Sequence, residues 1–386
     1  MTYHVKKKKT TQNRLSIKQI AAVGLSGYLF IMFFIAVLTS VEHDRYFSSR
    51  NLHTWSTQIQ HEWLTSFFVY ENRHYLSAED INNPPALSQV IFEFATRLDM
   101  QDPRTLLGRE LPGFASFDGK IVVAGDGTDF TNMPVESAPP MEVLMEEREA
   151  TSKRLELAEE DERNQEQQTT GQAPVAHIIH SHSRESYLPE LKDGTTVAFH
   201  PEVNITLVGD RLGQKLEEHG ISTKVDKTDI EQKLHENGWD FPRSYDVSRE
   251  VLQDAMAEHE QLELFFDLHR DSQTRDITTV TINGETMART MFVIGENNPH
   301  YEKNLEMATD MHNRLEESYP GLSRGVITKG GGGANGRYNQ DLSEKSVLIE
   351  MGGIENNLEE AYRTADILAE VISEQYFDAQ SVEGGE

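Results

Sequence analysis

Residues Ile20 to Leu38 read IAAVGLSGYLFIMFFIAVL, an uncharged run of 19 residues that divides the chain into parts unable to share one globular fold. A helix of about 20 residues crosses the hydrocarbon core of a bilayer. Ahead of the run stand Lys6, Lys7, Lys8, Lys9, Arg14 and Lys18 with no acidic residue, and behind it Glu42, Asp44 and Arg45 give no basic excess. The positive-inside rule then keeps residues 1–18 in the cytoplasm as a basic tail. It makes 19–39 a single-pass transmembrane helix and sends everything after it out of the cell. A cleaved signal peptide fits less well, because its apolar region spans about 7–15 residues and ends at a small-residue site that Val37-Leu38-Thr39-Ser40 does not resemble.

The exported remainder of a 386-residue chain has room for one sizeable domain and a smaller one. A formal charge of −28 argues against nucleic acid as a partner, since a phosphate-binding surface needs clustered Lys and Arg. There is no cysteine, which removes disulfides, thiolate metal sites and cysteine nucleophiles together. Any metal must be held by His, Asp or Glu.

Composition divides the exported part in three. Residues 41–135 read as a small membrane-proximal domain, with Trp55, Trp63, Phe67, Phe68 and Tyr70 as apolar bulk and a strand at Ile121-Val122-Val123. Residues 136–173 read as an acidic linker: Met141 to Thr170 holds ten acidic and four basic residues. Such a stretch buries too little apolar surface to offset its ordering entropy. Residues 174–378 alternate short apolar strands with amphipathic helical patterns. The strands are expected near 175–179, 221–225, 262–266, 325–328 and 347–350, with helices starting near 205, 245, 305 and 358. A hairpin covers 277–294, turning at Asn283-Gly284. The expected fold class is α/β, a mostly parallel twisted sheet flanked by helices.

In such sheets the reactive groups gather at the carboxyl ends of strands. Three of those ends carry His180-Ser181-His182-Ser183-Arg184-Glu185-Ser186, Asp267-Leu268-His269-Arg270-Asp271 and Glu350-Met351-Gly352-Gly353. A catalytic zinc site takes three protein ligands and keeps a position open for water, and a further carboxylate can act as general base. The assignment is His180, Glu185 and His269 as ligands, with His182 the alternative to His180 and Glu350 the catalytic base. Arg270, Asp271 and Asn339 are expected to orient ligands or bind substrate. A lone histidine at a strand end is more often a hydrogen-bonded core or surface residue, so the case rests on His and acid recurring at three ends. The glycine-rich Gly330 to Gly336 does not read as a phosphate loop, because no Gly-Lys-Ser/Thr follows.

Taken together, the segments His180 to Tyr187, Asp267 to Asp271, Asn339-Gln340-Asp341-Leu342-Ser343 and Val347 to Gly353 with Asn356 resemble the stage II sporulation protein P family. That resemblance implies a catalytic domain similar to zinc N-acetylmuramoyl-L-alanine amidases, with Zn2+ as cofactor and peptidoglycan as substrate. It implies hydrolysis of the muramoyl–L-alanine amide and of stem-peptide cross-links during engulfment of the forespore. It also implies stage II sporulation proteins D and M as partners. Two other readings stand beside it. A barrel amidohydrolase beginning at His180-x-His182 would need more strands than follow the linker. A non-catalytic wall-binding scaffold would be expected to have lost the candidate ligands.

Overall fold

A computed structural model describes residues 119–135, 139–146, 148–151, 173–330 and 335–383. The apolar run at 20–38 and most of the expected membrane-proximal domain lie outside them. Among the described residues no helix is long and apolar enough to cross a membrane.

Among the described residues nine strands form, β1 (Gly119–Ala124), β2 (Ala176–Ile179), β3 (Thr223–Val225), β4 (Leu264–Asp271), β5 (Thr279–Ile282), β6 (Glu285–Ala288), β7 (Thr290–Gly295), β8 (Ser323–Lys329) and β9 (Ser346–Gly353). The longer helices are α1 (Thr206–Glu218), α2 (Ile230–Asn237), α3 (Ser244–Glu258), α4 (Tyr301–Ser318) and α5 (Leu358–Glu383). Seven strands make one sheet in the order β1-β8-β7-β9-β4-β2-β3, and β5 and β6 pair separately as the expected hairpin. Asn283 and Gly284 both take positive φ, 53° and 86°, as a tight two-residue turn requires.

The sheet is mostly parallel: β3, β2, β4 and β9 run together, and β7 runs with β8. Antiparallel pairing at β7–β9 and β1–β8 makes it mixed. The cause of the reversal is local. β7 leaves the hairpin with Thr290 opposite Met351, near the carboxyl end of β9, so it can only run back down the sheet.

Side chains alternate across a strand, and the sheet sorts them onto two faces. Ile178, Phe266, Leu268, Phe292, Val326 and Ile349 face one way, into a core closed by α1, α4 and α5. Burying a side chain of this size contributes about 1.5–3 kcal/mol. On the other face Ile179 and Phe265 pack under α2 and α3, through Leu234, Val247, Val251 and Leu252. Beside them Met291, Val293, Ile327 and Leu348 lie beneath Met133, Tyr245 and Tyr338. The strands of this second face carry the polar residues of interest.

Two boundaries differ from those composition suggests. β1 was expected within the membrane-proximal domain, yet it completes the edge of the sheet against β8. The stretch after it is tied down as well: Val135 N donates to Asp271 Oδ1 at 3.0 Å, and Arg324 donates to Asn132 O. The acidic segment is not wholly detached either. Leu144 is buried against Phe199 and Phe241, and Ala150 bridges to Leu191. The few apolar residues in an acidic run suffice to dock its first part. α2 went unexpected at the sequence level although its punctuation is ordinary, with Asp229 accepting from Gln232 N at the start and Gly238 at φ 64° at the end.

The fully buried Arg324–Asp271 pair, 2.6 Å apart, ties β8, β4 and the 132–135 stretch together. Arg324→Ala is expected to destabilise the domain by about 3–5 kcal/mol, because it leaves a buried carboxylate uncompensated. An unchanged denaturant midpoint would show that this pair does not hold the edge.

Candidate metal centre

His182, Glu185 and His269 converge. One ligand atom from each lies within 4.8 Å of the others, and all three side chains are buried. His269 Nδ1 is 3.1 Å from His182 Nδ1 and 3.8 Å from Glu185 Oε2, while His182 Nδ1 is 3.4 Å from Glu185 Oε1. A tetrahedral ion with ligands at about 2.0–2.1 Å holds its donors about 3.4 Å apart. The three separations bracket that value. Two imidazole nitrogens and one carboxylate oxygen, with no thiolate in the chain, form a donor set suited to a divalent first-row metal.

Each member arrives from a different local structure. His269 projects from β4 on the same face as Asp267 and Asp271. Asp267 backs it, with Oδ1 3.1 Å from His269 Nε2, as an ion pair rather than an aligned hydrogen bond. Asp267 is itself held by Ser181, whose amide and hydroxyl donate at 2.8 and 2.6 Å. A carboxylate behind a ligand histidine fixes its ring and leaves the other nitrogen for the metal. Burial alone lowers the His269 pKa, yet Asp267, then Glu185 and Glu350, overcome it and push it up to about 10. Burial raises Glu185, but its contacts with His182 and Arg270 outweigh this and hold it below the ordinary carboxylate range. Arg270 contributes its backbone, donating N–H to Glu185 Oε2 at 2.8 Å.

His182 lies in the turn after β2, its ring stacked on Phe241 at 4.4 Å and edge-on to Tyr245 at 5.4 Å. His180 goes elsewhere. It follows Ile178 by two residues and so shares that residue's face, against α1. A Cβ at Gly209 would meet its Nε2 at 2.2 Å, and its Nδ1 lies 3.0 Å from Asp226 O. The structure thus groups His182, rather than His180, with Glu185 and His269. Alternation of side chains is the physical reason: His182 reaches the other face only because the strand ends and the chain turns between them.

Glu350 is the register partner of His269 on the adjacent parallel strand, so the two stand side by side on one face. Its Oε2 is buried without a hydrogen-bond partner. Burial, and then the nearby Asp271, push its pKa up to about 8. The other expected residues are engaged in support. The Arg270 guanidinium donates to Ala198 O at 3.1 Å and lies over Phe199. Asp271 binds Arg324 and the amides of Val135 and Gln273. Asn339 donates to Tyr245 O and Ser248 Oγ, at 3.1 and 3.0 Å, and so steadies the helix that lays Tyr245 over the histidines.

Asp267 carries a role that sequence reasoning left unassigned. Its signal was present, as an acid two residues before a candidate histidine on a strand. Tyr245 and Phe241 carried no such signal, since apolar and aromatic residues at helical spacing read as core.

Fold and site together define a mixed α/β protein with a buried pair of histidines and a carboxylate that could hold a metal ion, and a second carboxylate alongside. Residues 101–373 match the family described as stage II sporulation protein P. The chain is also 43% identical over 376 residues to the stage II sporulation protein P of Bacillus subtilis (strain 168), which spans 95% of this chain and 93% of that one. The chain belongs to the stage II sporulation protein P family.

Metal content of the purified full chain checks the grouping. His182→Ala and His269→Ala are each expected to lose the bound ion, whereas His180→Ala keeps it. Retention of metal by His269→Ala, or its loss from His180→Ala, would place the centre elsewhere.

Proposed function

We propose that the chain is a zinc-dependent peptidoglycan hydrolase that cleaves the N-acetylmuramoyl-L-alanine amide and stem-peptide cross-links during forespore engulfment. The observation that carries this reading is the convergence of His182, Glu185 and His269 with Glu350 in register beside them. Family membership supports the sporulation setting, and the lysine-rich tail and apolar run at 20–38 support a single-pass anchor with the catalytic domain outside the cell. Stage II sporulation proteins D and M are the partners this setting implies.

Both reactions are amide hydrolyses, so one site serves both. Zinc, when bound, lowers the pKa of a water to about 7 and polarises the scissile carbonyl. His182, Glu185 and His269 would hold the ion, and Asp267 orients the His269 ring. Glu350 takes the proton from the attacking water and passes it to the leaving nitrogen. Burial and Asp271 raise its pKa, while a cation held by the neighbouring trio works against both. A carboxylate balanced between those influences exchanges protons near neutral pH. The rings of Phe241 and Tyr245 pack against His182, and Tyr245 also stacks on His269.

Full-length protein incubated with peptidoglycan, with zinc and then with chelator, tests the reading by mass spectrometry of the products. Zinc-dependent release of free stem peptides is expected from amidase action, and split cross-links from endopeptidase action. Intact peptidoglycan from zinc-loaded protein, with the D protein also supplied, would favour a wall-binding scaffold instead. Glu350→Gln is expected to keep zinc and lose about 10²–10⁴-fold in turnover, because an amide cannot carry the proton. Near-normal turnover would remove Glu350 from the mechanism.

A further inference from the structure

We propose that Glu231 is a positioning residue that holds the His182–Glu185 loop at the spacing a metal ion needs, an inference that rests on the metal-centre reading above. Glu231 sits in the first turn of α2 and is wholly buried. Its Oε2 accepts the Ser183 hydroxyl at 2.5 Å and the Arg184 amide at 3.2 Å. Ser183 Oγ in turn accepts the Ile230 amide at 2.9 Å. The Arg184 guanidinium grips Asp229, the residue that caps α2, through Nη2 to Oδ2 at 2.7 Å and through Nε at 3.0 Å. The two residues that separate His182 from Glu185 are therefore both bound to the start of one helix.

This arrangement matters because His182 lies on a turn and Glu185 on an isolated bridge to Phe199, both outside the seven-stranded sheet. Metal ligands must be held to within about 0.5 Å of their working geometry. The bridge fixes the Glu185 end of the loop, and Glu231 holds Ser183 and Arg184, next to His182. Its Oε1 has no hydrogen-bond partner, and the bonds that Oε2 accepts from other residues come from the loop. Each ligand histidine then has its own buried carboxylate: Asp267 reaches His269 directly, and Glu231 reaches His182 through Ser183 and Arg184. Loss of a group that orients a metal ligand in this way typically weakens affinity about 10–100-fold.

The test compares full-length wild type, Glu231→Ala and Glu231→Gln in zinc affinity, by competition with a chelating dye, and in the visible spectrum of the cobalt-substituted protein. Glu231→Ala is expected to bind zinc about 10–100-fold more weakly and to shift the cobalt bands, at temperatures where it is fully folded. Glu231→Gln keeps an oxygen that accepts from Ser183 and Arg184, and is expected to stay close to wild type in both. A folded Glu231→Ala with wild-type zinc affinity and cobalt bands overturns the proposal. If Glu231→Ala fails to fold, Ser183→Ala, which removes the hydroxyl link, is judged by the same two outcomes. Zinc binding by wild type that is indifferent to His269→Ala is a failure of the metal-centre reading itself, and it removes this inference with it.

Discussion

The register between β4 and β9 is the constraint on which the site depends. His269 and Glu350 are partners on adjacent parallel strands, and every residue of both strands is buried. A slip of one residue in either strand would turn its polar side chain into the apolar core under α1, α4 and α5. The near-continuous apolar character of Leu264-Phe265-Phe266 and Val347-Leu348-Ile349 holds the strands at the centre of the sheet, where such a slip is most costly. Fold stability and site geometry are thus enforced by the same contacts.

Around that pair the charges are arranged in layers. Asp267 stands behind His269, Glu185 in front of it and Glu350 beside it, and all are removed from water. Uncompensated carboxylates at this density would repel one another. Arg324 neutralises Asp271, the Arg270 amide serves Glu185, and Ser181 serves Asp267. A divalent cation held by His182, His269 and Glu185 would supply positive charge for Glu185 and Glu350 to face together. The apolar rings of Phe241 and Tyr245 lower the local dielectric around the histidines, which strengthens each of these interactions.

Much of this was legible in the sequence. The alternation of strands and helices, the hairpin turn at Asn283-Gly284 and the placing of His269 and Glu350 toward the carboxyl halves of two strands follow from periodicity and turn chemistry. What could not be read was where a strand stops. β4 runs through Asp271 rather than ending at Phe266, because polar residues on one face of a buried strand look like a loop when neighbours are unknown. The choice between His180 and His182 turned on the same point: β2 ends at Ile179, and only the turn that follows sends His182 to the site face. The edge strand β1 was visible as a strand, but its partner β8 lies some two hundred residues away, and composition placed a domain boundary between them. Glu231 was hidden for a different reason, since nothing in a helix's first turn tells which loop it will hold.

The most direct test of the central claim is a crystal structure of the zinc-loaded protein with anomalous data collected at the zinc edge. The account predicts one strong peak bound by His182 Nδ1, His269 Nδ1 and a Glu185 oxygen, with Glu350 close by but not bonded to the ion. A peak coordinated by His180, or one distant from β4, would contradict it.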